Sequence, residues 1–233
     1  MPPIVIAHRT CPLDAAENSL EGIRVAARLG AEAVEVDVRL TSDGYPVLLH
    51  DNWLWRTTWK FRRLNRTPLE SVNRVRLRDG DETIPGLADA LAALADDQRI
   101  AIDVKDPTAA EAVIGEVRKQ GLEDRALFWV KSTDAVTHAA EVAPEVEASL
   151  LRDARRPSER TRFLEDARRV GARGISAHWS VIKPDFVAEA RACGLLVYSW
   201  CKKERPEPAK LKLVDGLVTD WPGQAREAIT NLS

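Results

Sequence analysis

Long apolar runs are missing from this chain. No stretch of about 18 apolar residues occurs, so no membrane-spanning helix is expected. The start, Met1-Pro2-Pro3-Ile4-Val5-Ile6-Ala7-His8, lacks both the charged leader and the apolar length of a secretory signal. Charge of one sign is missing too: 34 Lys and Arg against 36 Asp and Glu leave a formal net charge of −2. Phosphate backbones select basic surfaces, so nucleic acid is not expected as a partner. Cysteine is scarce. Cys11, Cys193 and Cys201 are odd in number and lack metal-type spacing, which argues against a disulfide scaffold or a zinc site. These absences predict a soluble, reduced, cytoplasmic protein without stable membrane insertion. Nothing in the chain reads as a signal for oligomeric state.

What is present is enough for a full core. Apolar residues make up 45% of 233, a length that fits one large domain over 1–233. Seven Trp stand against one Met, either as large core fillers or as a wall for stacking a ligand.

Strand and helix patterns alternate along the chain. Ile4-Val5-Ile6-Ala7 reads as a buried strand ending on His8-Arg9. Asn18 or Ser19 can cap a helix from about Leu20 to Leu29, with Gly30 ending it. Further strands are expected around Glu35 and Asp37, from about 34 to 40, and at 99–105, 126–130, about 146–151, 174–177, 195–200 and 215–220. Helices between them are marked by Pro85-Gly86, Ser132, Pro184 and trailing glycines at 121, 171 and 194. Eight such strands with right-handed crossovers predict closure into a (β/α)8 TIM barrel. From about 52 to 83 the periodicity fails, and Trp53, Trp55, Trp59 and Phe61 stand among arginines. This stretch reads as an inserted segment that packs its own aromatics and caps a pocket.

The stretch from Glu35 to Asp51 carries the densest chemistry. Residues two apart on a strand share a face, so Glu35 and Asp37 leave one side and Val34, Val36 and Val38 the other. Ser42-Asp43-Gly44-Tyr45 is turn chemistry, and the chain returns through Pro46–Leu49 to His50-Asp51. Alone, Glu-x-Asp on a strand usually marks a solvated face. A barrel changes the weight, because it gathers strand C-terminal ends at one mouth. His8, Arg9, Glu35, Asp37, His50, Asp103, Lys105 and Trp200 all fall at or just beyond such ends. Glu35, Asp37 and Asp103 would form an oxygen cage for a divalent cation, Mg²⁺ or Ca²⁺. Arg9 and Lys105 suit a phosphate. His8 and His50 suit proton transfer near neutral pH. Together these groups describe hydrolysis of a phosphodiester. His138 and His178 lack charged company at suitable positions; the first reads as helix surface.

At these residues the chain resembles the glycerophosphodiester phosphodiesterase family. The matches are Ile-Ala-His8-Arg9, Glu17-Asn18-Ser19, Glu35-x-Asp37-Val, Thr-x-Asp43-Gly44-x-Pro-Val, His50-Asp51, Arg56-Thr57-Thr58, Ile84-Pro85, Asp103-x-Lys105 and Asp215-Gly216-x-x-Thr219-Asp220-x-Pro222. The resemblance implies a TIM barrel with His8 and His50 as the acid/base pair. It implies Glu35, Asp37 and Asp103 as ligands of a divalent ion, Arg9 and Lys105 on phosphate, and Trp200 on the glycerol side. The implied reaction is metal-dependent hydrolysis of a small-molecule glycerophosphodiester to glycerol 3-phosphate and an alcohol. Two other readings are a lysophospholipase D acting on a lipid and a non-catalytic barrel that binds phosphate esters. The chain departs from the family pattern at Thr10, where Gly is usual, at Ala16, at Asp103, where Glu is usual, at Phe128-Trp129-Val130, and at Ser199-Trp200-Cys201-Lys202-Lys203.

Overall fold

The computed structural model describes residues 2–231. Strands β1 (Ile4–Ala7), β2 (Ala33–Leu40), β4 (Arg99–Val104), β5 (Ala126–Val130), β6 (Glu147–Arg152), β7 (Gly174–His178), β8 (Leu196–Trp200) and β9 (Gly216–Thr219) run parallel in spatial order. Ile4↔Gly216 through Ala7↔Thr219 joins β1 to β9, and Ile6↔Ala33 joins β1 to β2, which closes the cylinder. The structure is therefore a (β/α)8 barrel. The short strand β3 (Pro46–Leu48) adds antiparallel to β2, with Val38 facing Leu48. His50 lies two residues past β3, in the loop.

Helices form where the sequence offers start and stop signals. Helix Leu20–Arg28 begins on Ser19, whose side chain accepts from Gly22 N, and stops at Gly30 with φ 79°. Helix Thr133–Val142 begins on Ser132 in the same way. Helices Pro157–Arg169, Pro184–Ala192 and Pro222–Thr230 each carry Pro in the first turn, where its missing N–H costs nothing.

The apolar residues divide into three bodies. The largest lies between strands and helices and includes Val34, Val36, Val38, Phe128, Phe163 and Ile175. The second fills the barrel: Ile6, Ala33, Ala101, Leu127, Trp129, Leu151, Tyr198 and Val218. At its lower end the Tyr198 hydroxyl donates to Glu147 at 2.6 Å, so this buried pair is satisfied. The third sits under the insertion and includes Leu54, Leu64, Val72, Val75, Leu77 and Ile84.

The insertion therefore buries aliphatics and leaves its aromatics outside. Trp53, Trp55, Trp59 and Phe61 are 40–77% exposed, and none of them lines the cavity at the barrel mouth described below. The expectation that the segment packs its own aromatics holds in that the rings meet one another, but they do so on the outer face, away from this cavity. Leu54 and Leu64 occupy its inward positions, and the bulky rings are left on the outer face.

The turn after β1 is under steric pressure. Arg9 and Thr10 both adopt positive φ, 46° and 73°, and Thr is β-branched. Its side chain packs so closely on Gly22 that a Cβ there would stand 2.2 Å from Thr10 Oγ1. Gly22→Ala should therefore cost about 2 kcal/mol by overpacking. Adding Thr10→Gly should recover most of that loss, since it removes both the contact and the left-handed β-branched residue. Urea titrations of the two single variants and the double variant measure the coupling; additive losses would contradict this account.

Candidate active site

All eight residues singled out in the sequence line one cavity of about 230 Å³ at the C-terminal mouth of the barrel. His8 and Arg9 follow β1, Glu35 and Asp37 lie on β2, His50 follows β3, Asp103 lies near the end of β4 with Lys105 just past it, and Trp200 ends β8. Trp129, Lys131, Ser176 and Lys202 also line it and were not singled out.

Glu35, Asp37 and Asp103 are buried and bring one oxygen each within 4.8 Å of the others. The shorter Asp103 thus still reaches the group. Three carboxylates this close and this dry repel one another, and the protein compensates them on every side. Lys105 Nζ stands 2.6 Å from Asp37 and also pairs with Asp103. Arg9 Nε lies 3.2 Å from Asp37, and the Arg9 amide donates to Glu35 at 2.8 Å. Asn18 Nδ2 donates to Asp37 at 2.9 Å, while the Asp37 amide donates back to Asn18 Oδ1.

Compensation is uneven. Burial, reinforced by the Asp37 charge, pushes the Glu35 carboxyl up to about 7. Burial would also raise Asp37, but Lys105 and Arg9 outweigh it and hold that carboxyl at about 2. Burial raises Asp103. Once all three are ionised, three acids against two cations leave negative charge in excess, and the donors are hard oxygens. That set fits a divalent cation of the Mg²⁺ or Ca²⁺ kind.

Each imidazole is held by an aspartate through Nδ1. His8 Nδ1 is 2.5 Å from Asp220 and His50 Nδ1 is 2.7 Å from Asp51. A carboxylate at Nδ1 assigns the proton there and leaves Nε2 free. Arg39 Nε donates to the His50 carbonyl at 2.7 Å, which fixes the loop. Behind Asp51 stands Arg56, which also forks onto Glu17 at 2.6 Å through both terminal nitrogens. Glu17 in turn meets Arg9 at 3.3 Å. Burial lowers the His50 ring below the ordinary histidine value, which favours its neutral form.

On the opposite wall, Trp200 meets the His178 ring edge-on at 4.5 Å. Trp129 Nε1, Ser176 Oγ and Trp200 Nε1 are buried and have no hydrogen-bond partner in the protein. Orphaned donors of this kind call for a partner, and all three residues line the cavity. Inward parity on an all-apolar strand is hard to read, which is why Trp129 escaped notice; position at a strand end was its only signal. His138 lies on its helix surface, as expected, but it does have charged company: Glu111 at 2.7 Å.

Against this geometry, residues 8–224 match the model of the glycerophosphoryl diester phosphodiesterase family. A glycerophosphodiester phosphodiesterase from Caldanaerobacter subterraneus is 26% identical over 249 residues, covering 100% of this chain and 98% of its own. The human glycerophosphodiester phosphodiesterase 1 is 46% identical over 95 residues, 37% of this chain and only 29% of the human protein. Among solved structures, a phosphodiesterase from Oleispira antarctica in complex with sn-glycerol-3-phosphate superposes with TM-score 0.81 at 26% identity, over 98% of this chain and 97% of that one.

The raised Glu35 gives a pH signature. Its carboxyl ionises near 4.5 when unfolded and near 7 when folded, so the folded state holds the extra proton between those values. Stability without divalent cation should fall as pH rises through that window, by about 3 kcal/mol at most. Asp37, depressed, stabilises above about 4 and adds no slope there. A divalent cation must displace the Glu35 proton. Saturating Mg²⁺ or Ca²⁺ should therefore raise Tm more at pH 8 than at pH 5.5, and Glu35→Gln should flatten the difference. Equal Tm shifts at the two pH values for the unaltered protein would reject the assignment.

Proposed function

This chain belongs to the glycerophosphoryl diester phosphodiesterase family, and on that premise we propose that it hydrolyses a glycerophosphodiester to glycerol 3-phosphate and an alcohol by acid–base catalysis between His8 and His50. The observation that carries the reading is the pairing of two aspartate-backed imidazoles on one cavity with a compensated triad of carboxylates.

Glu35, Asp37 and Asp103 would hold a divalent cation, Mg²⁺ or Ca²⁺, whose chemistry is to neutralise charge on the phosphoryl oxygens. Arg9 and Lys105 line the same wall and bring positive charge to the phosphate. His50, neutral and with Nε2 unprotonated, takes a proton from the attacking hydroxyl. His8, when protonated, gives one from Nε2 to the departing alcohol oxygen while Asp220 stabilises its charge. The same proton traffic serves water or a hydroxyl of the substrate as the nucleophile. The orphaned Trp129 Nε1, Ser176 Oγ and Trp200 Nε1 turn to the glycerol hydroxyls, with the Trp200 ring against the carbon skeleton. A polyol ester satisfies these donors where an apolar ligand would leave them unpaired.

We read residues 1–233 as a single domain of this kind with its insertion at about 52–83. We place it in the cytoplasm, a reading that the three unpaired cysteines support.

His8→Ala and His50→Ala should each lower turnover of glycerophosphocholine by about 10²-fold or more, and EDTA should silence the unaltered enzyme. Unchanged turnover in either variant would reject the role of that residue. A comparison with lysophosphatidylcholine separates a soluble substrate from a lipid one. Tight binding of glycerol 3-phosphate without turnover under any divalent cation would instead support a phosphate-ester-binding barrel.

A further inference from the structure

The insertion carries a surface that the chemistry of the cavity does not use. Leu54 N donates to Arg62 O at 3.0 Å and Leu64 N to Asn52 O at 2.8 Å, so this stretch is a hairpin pinned to the barrel. Its underside, Leu54 and Leu64, is buried in the small core beneath. Its outer face is aromatic. Trp53 and Phe61 lie 5.0 Å apart, Trp55 and Trp59 5.1 Å, and Trp55 and Phe61 6.2 Å, centroid to centroid. Four large rings joined in one exposed chain are uncommon on a protein with no use for them.

The charge carried by the hairpin itself is one-sided. From Asn52 through Leu69 there is no Asp or Glu, while Arg56, Lys60, Arg62, Arg63 and Arg66 all fall there, in a chain whose net charge is −2. Arg56 points back to Asp51 and Glu17. Arg63 lies over the Trp53 ring at 4.8 Å, and Arg78 over Trp59 at 4.7 Å. Lys60, Arg62 and Arg66 face solvent. Trp53, Phe61, Arg62, Arg63 and Arg66 border a hollow of about 370 Å³, large enough for a phosphate-bearing headgroup.

We propose that this face docks the protein peripherally on an anionic phospholipid bilayer, with the rings seated at the headgroup–acyl boundary and the arginine hollow holding a lipid phosphate. Tryptophan favours that boundary because one edge is apolar and the other can hydrogen-bond. Clustered Lys and Arg gain from the negative potential of an anionic leaflet. Neither feature alone gives firm adsorption, whereas an amphipathic aromatic face and a basic rim together do. No helix among the described residues is long and apolar enough to cross a membrane, so the attachment is reversible. The docked segment is the one whose Arg56 braces the Asp51–His50 pair, which links the docking face to the loop that carries His50. The inference concerns where the protein sits and stands apart from the proposed hydrolysis.

The test sediments the full chain with vesicles of phosphatidylcholine containing roughly a quarter phosphatidylglycerol, and with pure phosphatidylcholine vesicles. Two double variants are compared, Trp59→Ser with Phe61→Ser and Arg62→Glu with Arg66→Glu, after circular dichroism shows native spectra. Should either double variant misfold, Phe61→Ser and Arg66→Glu singly take its place. The expected result is binding to the anionic vesicles with a blue-shifted Trp emission, about tenfold weaker binding to the neutral ones, and weakening by 0.5 M salt. Each double variant should lose about tenfold or more, while turnover of soluble glycerophosphocholine without vesicles is unchanged. Three results would overturn the proposal: no binding of the unaltered protein to anionic vesicles, binding that ignores both variants, or a dimer in solution that the Trp59→Ser/Phe61→Ser variant dissociates. Vesicle binding without any hydrolysis would leave docking in place and count only against the proposed reaction.

Discussion

Three carboxylates held out of water at one barrel mouth govern this structure. Glu35, Asp37 and Asp103 lie too close together to be ionised without help. The surrounding chain supplies that help through four groups: Lys105 just past β4, the Arg9 side chain and the Arg9 amide from the turn after β1, and Asn18 from the following loop. The left-handed turn at Arg9 and Thr10, with Asn18 also at positive φ, is the backbone cost of bringing these groups inward. The conformational freedom given up there is offset by satisfying an otherwise untenable cluster.

The same cluster orders the proton-transfer groups. Lys105 and Arg9 favour the ionised form of Asp37, whereas burial favours the protonated form of Glu35, so a cation bound there competes with a proton. Outside the cluster each imidazole has its own carboxylate, Asp220 for His8 and Asp51 for His50. The two arms are built alike but braced differently. Asp220 follows β9 directly, whereas Asp51 depends on Arg56 and Glu17 from the insertion and the β1 loop. The insertion is thus mechanically part of the site although none of its residues lines the cavity.

That double role explains its composition. Its aliphatic underside anchors it to the barrel, Arg56 reaches inward, and the rings and remaining cations point outward. A segment serving only as a brace would not need four exposed aromatics, and one serving only as a surface patch would not need Arg56.

Much of this was legible in the chain itself. Period-two alternation over residues 34–38 assigned the acids to one face and the valines to the other, and the structure has them so. Eight strand signals with capped helices between them were enough for the barrel, because local hydrogen bonding and periodicity decide those elements. Barrel closure then gathers strand ends, so the eight site residues followed from topology alone. What the chain could not disclose depends on contacts between distant segments. The Arg56–Glu17 fork spans 39 positions and the His8–Asp220 pair 212, and no local pattern marks either. Trp129 sits in a strand buried on both faces, where alternation vanishes. The outward turn of Trp53, Trp55, Trp59 and Phe61 was decided by which side chains fitted the small space under the hairpin, and shape complementarity of that kind exists only once the chain has folded.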